Sequence, residues 1–231
     1  MKKYLWMMMA VMGMVSFVAC GGDDKDDNEE TQDPRITQVV PSKYLNDIKN
    51  HMTIYDGENP PNVEGVFCMG PSIGLVYDSY YGWDEDPDFG QNFIEFSNQD
   101  ENSRTLYFRE GSDSGNFVGS GSGAYISGEG NNFTVFLNTK NTETDDDGTV
   151  IKYTKATIIS GTKSSGGIRN LRYAFVITEK TGDPDDTRVM KVGVFRIVND
   201  KDEFSEGTTW VNTRSDSASR DIPCWITSSI D

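Results

Sequence analysis

His51 is the only histidine in the chain, and it bounds the nucleophilic chemistry available. A Ser-His-Asp triad would have to use it, and no Gly-x-Ser-x-Gly elbow accompanies it. One histidine also leaves no His-rich zinc site, so His51 reads as a surface or packing residue. Three acidic runs invite calcium: Asp84-Glu85-Asp86-Pro87-Asp88, Asp145-Asp146-Asp147-Gly148 and Asp183-Pro184-Asp185-Asp186. Calcium takes about six to eight oxygens, and none of these runs completes an EF-hand loop with its terminal Glu. Each falls at an expected turn, where Asp is favoured anyway. Two carboxylates can hydrolyse a glycoside. With 37 acids in the chain some pair always lies close, and none is singled out as facing inward. The glycine-rich GSGSG and SGEG segments share only composition with phosphate loops, because no Gly-Lys-Ser/Thr and no helix follow. The expectation is no catalytic residue, no metal and no cofactor, and the chain is not read as an enzyme.

Aromatic and sulfur chemistry is better placed. Tyr77, Tyr80, Tyr81, Trp83 and Phe89 fall on the end of one expected strand and the loop after it. Aromatic rings on a loop held by a rigid scaffold can stack on sugars or apolar ligands. Tyr80, Tyr81 and Trp83 are therefore expected at the rim of a binding site, with Phe133, Tyr173 and Phe175 facing it from within. The alternative is a loop that folds its own aromatics over the core as a plug, and Trp210 and Trp225 in the tail are expected to cover a barrel end. Cys68 and Cys224 are a possible disulfide that would staple the tail to an early strand; two free thiols are the alternative.

The elements that must position these residues begin after a leader. Lys2 and Lys3 precede an apolar run from Tyr4 to Ala19, which is the anatomy of a secretory signal peptide. Phe17-Val18-Ala19-Cys20 resembles a bacterial lipobox, in which a small residue precedes a cysteine that is lipidated; Phe17 stands where Leu is usual. An ordinary signal peptide with an incidental cysteine is the alternative. The acidic run Asp23–Glu30 cannot collapse, since like charges repel and no apolar surface is present. Residues 1–19 are thus expected to be a lipoprotein signal, 20–34 a lipidated acidic tether, and 35–231 one domain with a C-terminal tail. The run also resembles the acidic export signal of Bacteroidetes surface lipoproteins. That resemblance implies an outer-membrane protein anchored through the lipid on Cys20 and exposed at the cell surface, with a periplasmic location as the alternative. The net charge of −16 becomes more negative once a leader with two lysines and no acid is removed. It argues against nucleic acid and anionic membrane surfaces as partners.

Within the domain, residues 41–52 read as one helix capped by Ser42, with Tyr44, Leu45, Ile48 and Met52 on one face. After Pro61, runs rich in Val, Ile, Phe, Tyr and Thr alternate with Gly, Asn, Asp and Ser clusters. Strands are expected over 63–69, 73–80, 92–97, 104–110, 122–129, 132–139, 149–160, 171–179 and 189–199. Short turns between successive strands mean an antiparallel meander. Phe133, Val135 and Leu137 share one face, as do Leu171, Tyr173, Phe175 and Ile177, so one side of the sheet is strongly apolar. The fold class is all-β: an antiparallel up-and-down β-barrel with one short N-terminal helix, or alternatively a two-sheet β-sandwich.

Asn62-Val63-Glu64-Gly65-Val66-Phe67, after a short helix, resembles the N-terminal signature of the lipocalins, with Phe67 where the Trp would stand. The resemblance implies that Arg196 packs over the Phe67 ring and that strands 63–69 and 189–199 close the barrel as neighbours. The whole chain also resembles lipocalin-like lipoproteins of gut Bacteroidetes. The function expected is binding of a small apolar ligand or a glycan in or at the rim of the barrel. A structural or accessory component of a surface complex is the alternative, and a glycan-acting enzyme is third.

Cys20→Ala should release the protein into the soluble fraction on cell fractionation, because each buried CH₂ of an acyl anchor contributes about 0.8 kcal/mol and the expected anchor is that lipid alone. Neutralising Asp23–Glu30 should keep the anchor but reduce cleavage by protease added to whole cells; unchanged cleavage would make the run a spacer.

Overall fold

A computed structural model describes residues 33–81, 87–112, 117–144 and 147–209, and for residues 112, 117–123 and 143 the backbone. Cys20, Trp83, Trp210, Cys224 and Trp225 lie outside the described residues. Two short helices open the domain, α1 (Pro34–Val39) and α2 (Ser42–Lys49). Asp33 caps α1 by accepting the Arg35 amide at 2.9 Å, and proline stands in the first turn, where its missing N–H is no loss. The sequence reading missed α1. It also made Ser42 the cap of α2, whereas Pro41 holds that position with no side-chain hydrogen bond. The helix expected over 41–52 ends at Lys49; Leu45 and Ile48 of its expected face are buried with Tyr44 packed beside them, and Met52, beyond its end, is buried in the same cluster.

Eleven strands follow: β1 (Glu58–Asn59), β2 (Gly65–Met69), β3 (Ile73–Asp78), β4 (Asn92–Asp100), β5 (Thr105–Ser112), β6 (Phe117–Glu129), β7 (Asn132–Thr144), β8 (Val150–Ser164), β9 (Gly167–Thr181), β10 (Phe195–Asp200) and β11 (Phe204–Thr208). All form one sheet. From β4 to β9 each strand pairs antiparallel with the next. β9 then pairs with β10 through 172–176 and with β11 through 167–169. β11 pairs with β2, β10 pairs with β3, and β2 pairs with β4. The ring is therefore closed. Counted with β2–β3 and β10–β11 as one broken strand each, it has eight walls, all antiparallel. This is the up-and-down barrel rather than the sandwich.

Alternation sorts the side chains between inside and outside. Phe133, Val135 and Leu137 of β7 and Leu171, Tyr173, Phe175 and Ile177 of β9 lie in the interior cluster. Their outward neighbours Phe136, Ala174 and Val176 are buried too, because α1 and α2 cover that part of the outer wall through Ile36, Leu45 and Ile48. The mixed outer face read from the sequence is the seat of the helices. An eight-stranded barrel is just wide enough for its own side chains. Here Phe67, Phe96, Phe108, Phe133 and Phe175 supply them, each at most 2% exposed.

The closure departs from expectation. β2 was to lie beside 189–199; its partners are β4 and β11. Residues 201–203 break the last strand, and the half that reaches β2 is β11, which the sequence reading missed. Arg196 belongs to the other half. It sits inside the wall opposite Asp78 of β3, its Nε 2.5 Å from Asp78 Oδ2. The cation over Phe67 is instead Lys163 of β8, 4.4 Å from the ring centre. Residues 189–194 are not strand, although Val189 and Met190 are buried.

Asp200 ties the two broken strands together. Its Oδ2 accepts the Gly70 amide at 3.1 Å, in the gap between β2 and β3, and the Ser205 hydroxyl at 3.1 Å, just beyond the gap between β10 and β11. Oδ1 accepts the Asp202 amide at 3.2 Å, inside that second gap. Asp200 is fully buried. Burial outweighs these hydrogen bonds and raises its carboxyl above the ordinary 3.8.

Asp200→Ala should cost on the order of 3 kcal/mol in urea unfolding, since a stranded buried donor costs about 1–3 kcal/mol, and Asp200→Asn should cost much less. The raised carboxyl favours the folded state most below its unfolded-state pKa. Wild-type stability relative to Asp200→Asn should therefore fall as pH rises from about 4 through the folded-state titration. A difference that does not change with pH would refute the shift.

Candidate functional site

The two ends of the barrel differ. At one end β4–β5, β6–β7 and β8–β9 are joined by tight turns. At the other end β3 and β9 finish, and the described residues that follow them, 79–81, 87–91 and 182–194, form longer connections. The loop-bearing end holds Tyr80 and Tyr81 of the aromatic residues singled out in the sequence, whereas Phe133 lies near the β6–β7 turn at the other end.

Asp78 organises that rim. Its Oδ1 accepts the amides of Tyr80 at 2.9 Å and Tyr81 at 2.8 Å, while its Oδ2 takes Arg196 Nε. Ser79 exchanges hydrogen bonds with Phe195, N to O at 3.0 Å and back to Ser79 Oγ at 2.9 Å. The start of the loop is thus fixed to β10 by a buried ion pair and two further hydrogen bonds. Tyr80 projects from it, 63% exposed, with the Tyr81 ring edge-on at 4.9 Å. Tyr81 turns inward onto the interior cluster, where Arg196 lies 5.4 Å from its ring centre and burial raises its phenol pKa. Lys191 stands 5.6 Å from the Tyr80 ring centre.

The opposite loop is pinned by Asp183, one of the acids considered for calcium. Its carboxylate accepts Lys180 Nζ at 2.9 Å and the amides of Thr187 at 3.1 Å and Val189 at 2.9 Å. Burial opposes the charge, but the Val189 amide and Lys180 outweigh it and hold the carboxyl below its ordinary value. Asp183 is therefore a loop anchor, and it carries Val189 and Met190 into the barrel mouth as a plug. Among the described residues no group of three His, Cys, Asp or Glu side chains could hold a metal ion.

Below the rim the apolar interior holds one buried polar cluster. Lys155 Nζ of β8 donates to Glu110 Oε1 of β5 at 2.5 Å and to the Tyr173 hydroxyl of β9 at 2.9 Å; that hydroxyl donates to Glu110 Oε2 at 2.5 Å. Glu110 and Lys155 are wholly buried and Tyr173 is 1% exposed. Burial, with the Glu110 charge beside it, raises the Tyr173 phenol well above 10, so it stays a donor. Two further inward groups, Asn92 Oδ1 and Asn141 Oδ1, are buried acceptors without a hydrogen-bond partner among the described residues.

The expected ligand-binding residues therefore divide. Tyr80 and Tyr81 meet at the rim, and Trp83 lies outside the described residues. Phe133, Tyr173 and Phe175 are packed inside, Phe133 against Phe96 at 6.2 Å and Tyr173 against Phe175 at 6.0 Å. They fill the interior instead of lining an open pocket. Cys68 is half-buried without a disulfide among the described residues, its Sγ accepting Gln91 Nε2 at 2.9 Å. His51 stacks on Tyr77 with ring centres 3.6 Å apart, a packing role. The sequence reading overlooked Glu110 and Lys155. The available signal was parity: Glu110 follows Leu106 and Phe108 on their face, and Lys155 follows Ile151 and Tyr153.

Glu110→Leu or Lys155→Met alone should lower unfolding free energy by about 3–5 kcal/mol, because each strands a buried charge. The double variant should recover most of that loss, as an apolar replacement of a buried pair does. Additive losses in a urea double-mutant cycle would show that the two groups are not coupled. No family model matches this chain, and neither a curated protein nor a solved structure matches it.

Proposed function

We propose that this chain is a lipid-anchored protein of the outer-membrane surface that binds a glycan, or another small ligand with a flat apolar face, at the loop-bearing rim. The observation that carries the reading is Tyr80: a largely exposed ring on a loop start that Asp78 and Arg196 hold rigid. A loop start held in place before binding reduces the ordering cost of stacking on its ring. Binding is proposed at the rim because Phe133, Tyr173 and Phe175 occupy the interior. The role is binding rather than catalysis, since Glu110, Lys155 and Tyr173 satisfy one another and are closed to solvent. The leader, lipidated Cys20 and acidic run supply the location in this reading, and the Bacteroidetes lipoprotein resemblance belongs to it.

A second reading, an accessory component of a surface complex with no small ligand, is favoured by the filled interior. Glycan microarrays with the purified protein separate the two. Tyr80→Ala should weaken binding of the retained glycans about tenfold, equivalent to about 1.4 kcal/mol, with the melting temperature moving by less than about 2 °C, as for a surface substitution. Trp83→Ala should behave alike. If no glycan is retained, or if Tyr80→Ala lowers the melting temperature by several degrees with binding unchanged, the accessory reading leads.

A further inference from the structure

At the end of the barrel away from the loops, the start of β2, the β8–β9 turn and the end of β11 border a shallow, open groove of about 590 Å³. Phe67 and Lys163 lie in it, with Glu64, Gly167, Thr208 and Thr209 around them. Lys163 is unlike the other cations there. Among the described residues each other buried or half-buried Lys or Arg has a carboxylate partner, from Lys155 with Glu110 and Arg196 with Asp78 to Arg109 with Glu95 and Arg172 with Glu203. Lys163 is half-buried and has none; its ammonium faces only the Phe67 ring, 4.4 Å from the centre. Burial alone acts on it, and lowers its pKa. In a chain with 37 acids, a half-buried cation without a counter-charge is conspicuous. Glu64 does not supply one, since its Oε1 accepts the Gln99 amide at 2.9 Å on the exposed side.

The walls add little side chain. A Cβ at Gly167 would stand 2.4 Å from Ser205 O, so the close approach of β9 and β11 demands glycine there. A Cβ at Gly65 would press on the Phe67 ring at 3.1 Å. What these glycines leave is a backbone-walled groove with an aromatic face, one ammonium and two threonine hydroxyls. A neutral apolar occupant would strand the ammonium further from water, which is costly. A phosphate dianion beside this single ammonium would keep one charge uncompensated in a half-buried groove, which is costly too. One negative charge on a short apolar body fits both features.

We infer that this groove is a second binding site, for a small monocarboxylate whose carboxylate pairs with Lys163 and whose apolar body lies along Phe67. The site is independent of the rim, at the opposite end of the barrel. Isothermal titration of the full chain with octanoate, and with octan-1-ol as the uncharged probe, tests it. Octanoate should bind saturably at one site, with octan-1-ol at least about tenfold weaker. Lys163→Met keeps an apolar stem on Phe67 and should weaken octanoate at least about tenfold with an unchanged melting temperature, while Lys163→Arg should retain binding. Octanoate should also shift the amide resonances of Lys163 and Gly167 in NMR spectra. Absence of saturable octanoate binding, equal binding by wild type and Lys163→Met, or shifts confined to the loop-bearing end would each overturn the assignment.

Discussion

The hydrogen-bonded triangle of Glu110, Lys155 and Tyr173 sets the character of this barrel. Glu110 belongs to β5, while Lys155 and Tyr173 belong to β8 and β9, three and four walls away around a ring of eight. The contact therefore crosses the lumen from one side to the other. Phe96, Phe108, Phe133 and Phe175 are packed in the same lumen, each almost wholly buried. Its energetics point to specificity more than stability. Bringing two charges out of water costs several kcal/mol each, and their attraction does little more than offset that cost. What the triangle adds is register: a slip of one residue in β5 or β8 would turn a charge outward and leave its partner buried and alone.

The seam is the complementary device. A ring must join its first strand to its last, and here both are broken, at Gly70–Ser72 and at Lys201–Glu203. The breaks face each other, so β2 and β11 close one half of the wall while β3 and β10 close the other. Asp200 holds both gaps with one carboxylate, and Lys201 N adds a bond to Ser72 O at 3.0 Å. The break also decides where Arg196 goes. Placed on the half nearer the loops, it meets Asp78 and steadies the rim, and Lys163 from the β8–β9 hairpin takes the position over Phe67.

Much of this fold was legible because strand alternation is a strong signal. Nine expected strands correspond to β2 to β10, and Phe133, Val135, Leu137 and Phe175 face inward as their spacing requires. The misses have physical causes. β11, Phe-Ser-Glu-Gly-Thr, carries small and polar residues because it lies where β9 approaches too closely for side chains at Gly167, so it lacks the β-branched signature. α1 is shorter than two turns and is held by tertiary contact, with Arg35 4.0 Å from the Tyr125 ring centre, so its periodicity is weak. The rim aromatics were read from composition on a loop. The buried Glu110–Lys155 pair was hidden among the chain's many charges, since pairing across a barrel depends on closure, which no local window contains.

The two helices are attached differently from everything else. They lie on the outer wall through side chains, with Arg35 also donating to Ser103 O at 2.8 Å, whereas the strands are joined by continuous ladders of backbone hydrogen bonds. A load applied at the N-terminal side of the domain enters at Asp33 and reaches α1 first. Contacts of that kind yield one after another, as in peeling, while the ladders behind them must be sheared together. The helices thus form a layer that can be lost without opening the ring, because no ladder of the barrel runs through them.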